Sequence, residues 1–161
     1  MFAKDLIVNP RVSRPAAVPA EGVWAVLADG WLYASWVVGA SRIRDVDASW
    51  PSPGARLHHS VGLWPALISD YTEVEVCDPP HHLVLMAHAG AIGSARVDLS
   101  IVPDGPWACT VTMAEDATSG LGRLLLRPAR QAMILPRNHE ALRRLVMLAE
   151  GQHRSGPRAG V

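Results

Sequence analysis

The sequence predicts an α+β fold: a curved, seven-stranded antiparallel sheet wrapped around one long C-terminal helix, with two short helices after the first strand. Three observations carry this expectation. Between residues 42 and 117, apolar and polar residues alternate in short runs separated by Pro- and Gly-rich turns, the period of half-buried strands. From residue 137 the period becomes that of an amphipathic helix, with Leu142, Leu145, Val146 and Ala149 at i, i+3, i+4 and i+7. No repeat and no linker divides the 161 residues, a length that suits one domain with a substantial core.

The elements follow in order. Residues 4–14 read as the first strand, closed by Pro15. Pro19 is placed to start a helix, Val23, Val26 and Leu27 give it an apolar face, and Gly30 after Asp29 ends it. Trp31 to Trp36 predicts a second short helical turn. Val37 to Asp47 is the next strand, and Trp50-Pro51-Ser52-Pro53-Gly54 breaks the chain after it. Arg56 to Leu63 and Leu67 to Cys77 alternate, and Asp78-Pro79-Pro80 ends the second of these. Leu83 to Ala89 and Ala95 to Val102 form a hairpin around residues 90–93. Trp107 to Ala117 follows the turn at Pro103 to Pro106. Gly120 and Gly122 open a helical region reaching Glu150, which Pro128 and Pro136 are expected to kink or divide. Residues 1–150 are thus expected to form a single domain. Residues 151–161, rich in Gly, Ser, Pro and Arg, are expected to be a disordered tail.

Composition narrows the function classes. A hydrophobic content of 49% with 19% charged residues is that of a soluble globular protein, and a formal net charge of zero gives no argument for nucleic acid. The charge is unevenly spread: residues 1–120 hold 7 basic and 13 acidic side chains, residues 121–161 hold 8 and 2. An acidic sheet attracting a basic helix within one fold explains this without any partner. Lys4 and Asp5 interrupt any apolar leader, and no stretch has the length of a membrane span. Cys77 and Cys109 lack metal-ligand spacing and read as free thiols in a reducing cytoplasm.

Strand parity sorts the side chains into two faces. In the last strand Cys109, Val111 and Met113 share a face with Glu115. In the strand from Leu67 the apolar set Ile68, Val74 and Val76 includes Asp70 and Thr72. In the strand from Arg56, Leu57, Val61 and Leu63 include His59, and His58 points the other way. A hairpin centred on Trp64-Pro65 would set Val61 opposite Ile68, Leu57 opposite Thr72 and His59 opposite Asp70, so that inward residues meet inward residues. The inner face should therefore present Val74, Val111 and Met113 to the helix, with His59, Asp70 and Glu115 as polar exceptions. A His59–Asp70 pair would favour the imidazolium and could orient a ligand or move a proton. Glu115 needs a partner, for which Arg137 is a candidate. The parity of the strand around Leu83 leaves His88 unoriented. Six tryptophans against one phenylalanine fall mostly at element ends, and Trp36 and Trp64 are candidates for the rim of an aromatic or lipid-like site. No metal cluster, nucleophile elbow, phosphate loop or dinucleotide fingerprint is present in the sequence, so no metal or cofactor is expected.

Several segments carry a family resemblance. Val23-Trp24-Ala25-Val26-Leu27-Ala28-Asp29, followed by Trp36, resembles the V-W-x-x-L-x-D … W opening of the START-like, birch-pollen-allergen-like (SRPBCC) superfamily. Thr72-Glu73-Val74 before Asp78-Pro79-Pro80 and Leu83-Val84-Leu85 is similar to its T-E-V … P-P-x-x-L middle. The segment from Trp107 to Asp116 resembles its final strand. Arg137-Asn138-His139-Glu140-Ala141-Leu142 resembles the closing helix of the polyketide cyclase/dehydrase-like bacterial branch. The resemblance spans roughly residues 4–150. It implies the helix-grip fold, with a hydrophobic cavity between sheet and C-terminal helix. Because pocket residues vary across that superfamily, no catalytic set carries over.

Three functions compete. The preferred one is a cytosolic binding protein for a hydrophobic or aromatic, lipid- or polyketide-like small molecule, lined by Trp36, His59, Trp64, Asp70, Val74, Val111, Met113, Glu115 and Arg137. The second is a cyclase/dehydratase-type enzyme in which Asp70 orients His59 as acid–base and Glu115 or Arg137 polarises a carbonyl. The third is a non-enzymatic module whose basic helix docks an acidic or membrane partner. Oligomeric state is left open, including a homodimer.

Overall fold

The computed structural model of the chain describes residues 10–63, 65–90, 93–120, 124 and 126–156. Its elements are β1 (Arg11–Ala16), α1 (Ala20–Ala28), a 3-10 turn (Gly30–Leu32), α2 (Tyr33–Trp36), β2 (Ala40–Val46), β3 (Arg56–Leu63), β4 (Ala66–Asp78), β5 (His82–Ala89), β6 (Gly93–Pro103), β7 (Cys109–Ala117) and α3 (Arg127–Ser155). All strands join one antiparallel sheet in the order β1-β7-β6-β5-β4-β3-β2. Each of β2 to β7 pairs with its sequence neighbour, as hairpin turns dictate, and β1 crosses over to β7. One face of the sheet carries α1, α2 and α3, the helix-grip arrangement.

Several boundaries differ from expectation for identifiable reasons. The first strand runs through Pro15 to Ala16. It lies at a sheet edge and pairs only with β7, so the missing N–H of proline breaks no second ladder. Residues 4–9 lie outside the described residues. Gly30 opens the 3-10 turn because of close packing: a Cβ there would lie 2.7 Å from Cγ1 of Val46. The Asp29 carboxylate accepts from the Trp31 backbone N–H at 3.0 Å and so caps that turn. The prolines do not divide the C-terminal helix. Pro128 sits in its first turn, where a missing N–H costs nothing, and Pro136 lies within one continuous element. That helix also runs to Ser155, beyond the expected limit at Glu150, so residues 151–155 are helical and not part of a disordered tail. Gly122 and residues 157–161 lie outside the described residues.

The β3–β4 register is the expected one, with Val61 opposite Ile68, Leu57 opposite Thr72 and His59 opposite Asp70. Parity read from the sequence fails in β4. The β4–β5 pairing shifts between Val74 and Val76, and one extra residue there exchanges the faces of everything after it. Val76 is consequently exposed and Cys77 turns toward the core.

The packed core occupies one end of the molecule. Leu57, Val74, Leu83, Leu85, Leu99, Ile101 and Val111 of the sheet meet Val23, Val26 and Leu27 of α1 and Leu142, Leu145, Val146 and Ala149 of α3. Each fully buried Leu or Val contributes about 1.5–3 kcal/mol of apolar transfer. This end pins the second half of α3 to the sheet. The first half of α3 extends over the other end, where the side chains beneath it are smaller.

Candidate functional site

Side-chain size along three strands makes the cavity. The inner face of β5 reads Leu83, Leu85, Ala87, Ala89, and that of β6 reads Ile101, Leu99, Val97, Ala95, Gly93 toward the same end. Ala87 pairs with Ala95, Ala89 with Gly93, and Ala95 with Ala117 of β7. Bulky residues therefore fill the space under α1, while alanine and glycine leave it open under the first half of α3. Gly93 also cannot be larger: its φ is +119°, and a Cβ would lie 2.0 Å from the Ser119 carbonyl oxygen. The resulting cavity has a volume of about 350 Å³. Its walls come from the small sheet residues, from Trp36 to Ala40 after α2, from Met113 and Glu115 of β7, and from Arg130, Met133, Ile134, Arg137, Asn138 and Ala141 of α3.

Polar residues also line the cavity, among them Ser94, Ser119 and Arg130, and three further groups of polar contacts stand out. On the sheet side, Tyr33 Oη and His59 Nε2 both bond to Thr72 Oγ1, at 3.0 and 2.9 Å, and the two rings stack with centroids 5.5 Å apart. Burial pushes the Tyr33 hydroxyl up to about 12, so it holds its proton. Burial likewise pushes His59 down to about 4. Between β7 and α3, the Arg137 guanidinium donates to the Glu115 carboxylate, which is otherwise enclosed. On the helix side Asn138 is buried in the wall.

The expected site is therefore partly assembled. Trp36, His59, Met113, Glu115 and Arg137 line one cavity. Asp70 does not partner His59, although it sits opposite in the ladder. Its two oxygens instead accept from the backbone N–H groups of Tyr71, at 2.8 Å, and Gly90, tying β4 to the end of β5. With its carboxylate engaged there, burial dominates and His59 is neutral, so the expected imidazolium is corrected. Val74 and Val111 belong to the packed end and not to the cavity. Trp64 lies outside the described residues. Among the described residues Trp31 and Trp107 are exposed, and Trp36 is the tryptophan that borders the space. His88 borders the cavity at its edge, its ring tilted against Tyr71 with centroids 4.4 Å apart and its Nδ1 bonded to Ser94.

Sequence reasoning missed Tyr33, Asn138 and the small-residue end of the sheet. The alanines carried a legible signal, because Ala87, Ala89, Ala95 and Ala117 share inward parity while bulkier residues occupy the other ends of their strands. Tyr33 and Asn138 gave none, since a four-residue turn has no usable period and the prolines at 128 and 136 obscure the period of the first half of α3.

No protein-family model and no curated protein matches the chain. Solved structures do. A conserved protein from Geobacillus kaustophilus aligns with a TM-score of 0.69 and 14% identity, covering 90% of this chain and 97% of its own. A START superfamily protein from Mycobacterium smegmatis gives 0.65 and 18%, covering 91% and 97%. The Zhui aromatase/cyclase from a Streptomyces species gives 0.68 and 16%, covering 95% and 98%. At such identities the likeness establishes the fold. The chain has the START-like helix-grip architecture that is shared by polyketide cyclase-like proteins.

Proposed function

We propose that the protein is a cytosolic binding protein for a hydrophobic or aromatic small molecule of lipid- or polyketide-like character, held between the sheet and α3. The cavity carries this reading. About 350 Å³ with mostly apolar walls and a few convergent polar groups is the size and character of a small-molecule site. Cys77 and Cys109 are unpaired thiols, which supports a reducing compartment. No helix among the described residues is long and apolar enough to cross a membrane.

The alternatives draw less support. The acid–base pair needed for the cyclase/dehydratase reading is lost with Asp70, whose oxygens are engaged elsewhere. The docking reading loses part of its charge to pairing within the fold, since Arg143 and Arg144 share Glu140 and Arg137 pairs with Glu115.

Native mass spectrometry of the purified protein, followed by a screen of apolar compounds through Trp fluorescence, tests the proposal. Trp36 in the cavity wall should be quenched saturably at a one-to-one ratio. Absence of any saturable ligand across lipid and aromatic panels would reject it.

A further inference from the structure

Two buried nitrogens in the cavity-lining residues have no hydrogen-bond partner: Nδ1 of His59 on β3 and Nδ2 of Asn138 on α3. They belong to opposite walls, one on the sheet and one on the helix, and each residue is 2% exposed. A buried polar group left unpaired is costly and rare in native proteins, so two in the wall of one cavity call for a common explanation.

Their chemistry is the same. The Asn138 Nδ2 group can only donate. For His59, proton counting decides the tautomer. Tyr33 Oη, Thr72 Oγ1 and His59 Nε2 form a chain with two links. If Tyr33 donates to Thr72 and Thr72 donates to Nε2, every hydroxyl hydrogen is used and the remaining ring proton sits on Nδ1. If the chain ran the other way, the buried Tyr33 O–H would have no acceptor among the described residues, and the Nδ1 lone pair would be unpaired as well. The first arrangement leaves one group unsatisfied and the second leaves two, so His59 presents Nδ1–H, a donor. Glu115 is an acceptor in the wall, but Arg137 already uses it.

We propose that the ligand is an apolar molecule bearing a neutral carbonyl-type oxygen that accepts from His59 Nδ1–H and Asn138 Nδ2–H. Both donors are uncharged, so a neutral oxygen matches them; Arg130 also lines the cavity, and the naphthoate titration below tests whether it draws an anion instead. This deepens the binding reading given above and rests on it.

Calorimetric titration with acetylnaphthalene, its hydrocarbon counterpart ethylnaphthalene, and naphthoate tests the idea. The ketone should bind roughly tenfold or more tightly than the hydrocarbon, and naphthoate more weakly than the ketone. Asn138→Leu and His59→Phe should each lower the ratio of ketone to ethylnaphthalene affinity toward one. A nitrogen-15 NMR titration of the unaltered protein needs no variant to fold. The ketone should shift the His59 Nδ1 and Asn138 Nδ2 resonances, and the hydrocarbon should not. Equal affinity for ketone and hydrocarbon, unmoved resonances, or tighter naphthoate overturns the acceptor inference and leaves the binding reading standing. Failure of all three compounds to bind overturns both.

Discussion

His58 and His59 are neighbours in sequence but not in environment: the His59 ring is sealed inside beside Tyr33, and the His58 ring faces the outer sheet surface near Tyr71. Burial holds the His59 imidazole at about 4, below its ordinary 6.5. The unfolded chain therefore takes up the proton first as pH falls. The stabilisation from this residue is complete above pH 6.5 and is lost as pH drops toward 4. The loss should be on the order of 3 kcal/mol. Chemical denaturation of the wild type and His59→Gln between those pH values should show it as a difference in slope; parallel curves would contradict the buried, neutral imidazole. The Glu115–Arg137 pair makes an asymmetric prediction. Arg137 is 42% exposed and can be solvated alone, whereas Glu115 is 7% exposed and cannot. Arg137→Met should therefore cost about 2 kcal/mol by stranding a carboxylate, and Glu115→Gln less. A double-mutant cycle measures this, and equal costs would place the carboxylate in contact with solvent.

At the scale of elements, the cavity is a consequence of one gradient across β5, β6 and β7. Leucine, isoleucine and valine at one end give way to alanine and glycine at the other. Ala95→Leu would place a branched side chain between Ala87 and Ala117, its cross-strand neighbours. It should abolish ligand binding while changing stability by no more than about 1 kcal/mol in either direction, because the space already exists. Leu145→Ala at the packed end should do the reverse: a loss of about 2–5 kcal/mol with the empty end of the cavity unaltered. Thermal melts with and without a bound aromatic probe separate these two outcomes. Loss of binding in the leucine-to-alanine variant, at a temperature where it remains folded, would mean that the two ends are not independent.

For the whole molecule, a ligand that binds only the folded state must raise its melting temperature with concentration. At a hundred times the dissociation constant the gain is about 2.7 kcal/mol. A scan against increasing ligand should reproduce that logarithmic rise, and a melting temperature independent of ligand would show that binding does not require the folded cavity. At this scale the succession of strands along the chain, the late long helix and the β3–β4 register were legible in the sequence, because local turn chemistry and period-two alternation act over a few residues. The face exchange after Val74 was not, since a bulge leaves alternation intact on either side and shifts only its phase. The Asp70 assignment failed for a similar reason. Register correctly placed it opposite His59, but a carboxylate chooses among all nearby donors, and two backbone N–H groups took both oxygens.

The sequence by itself determined the sheet, its inward residues and the helix that closes it, because patterns of size and polarity along the chain decide which surfaces leave water. Only the tertiary structure decided which inward residues border empty space and which are packed, and which buried polar atoms have partners. Those properties depend on what arrives from the other side. Val74 and Val111 share their face with Met113 and Glu115, yet the first two lie wholly in the packed core while the other two border the cavity, where Glu115 meets Arg137 of α3. Distance between elements, unlike the phase of a strand, is written in no single segment.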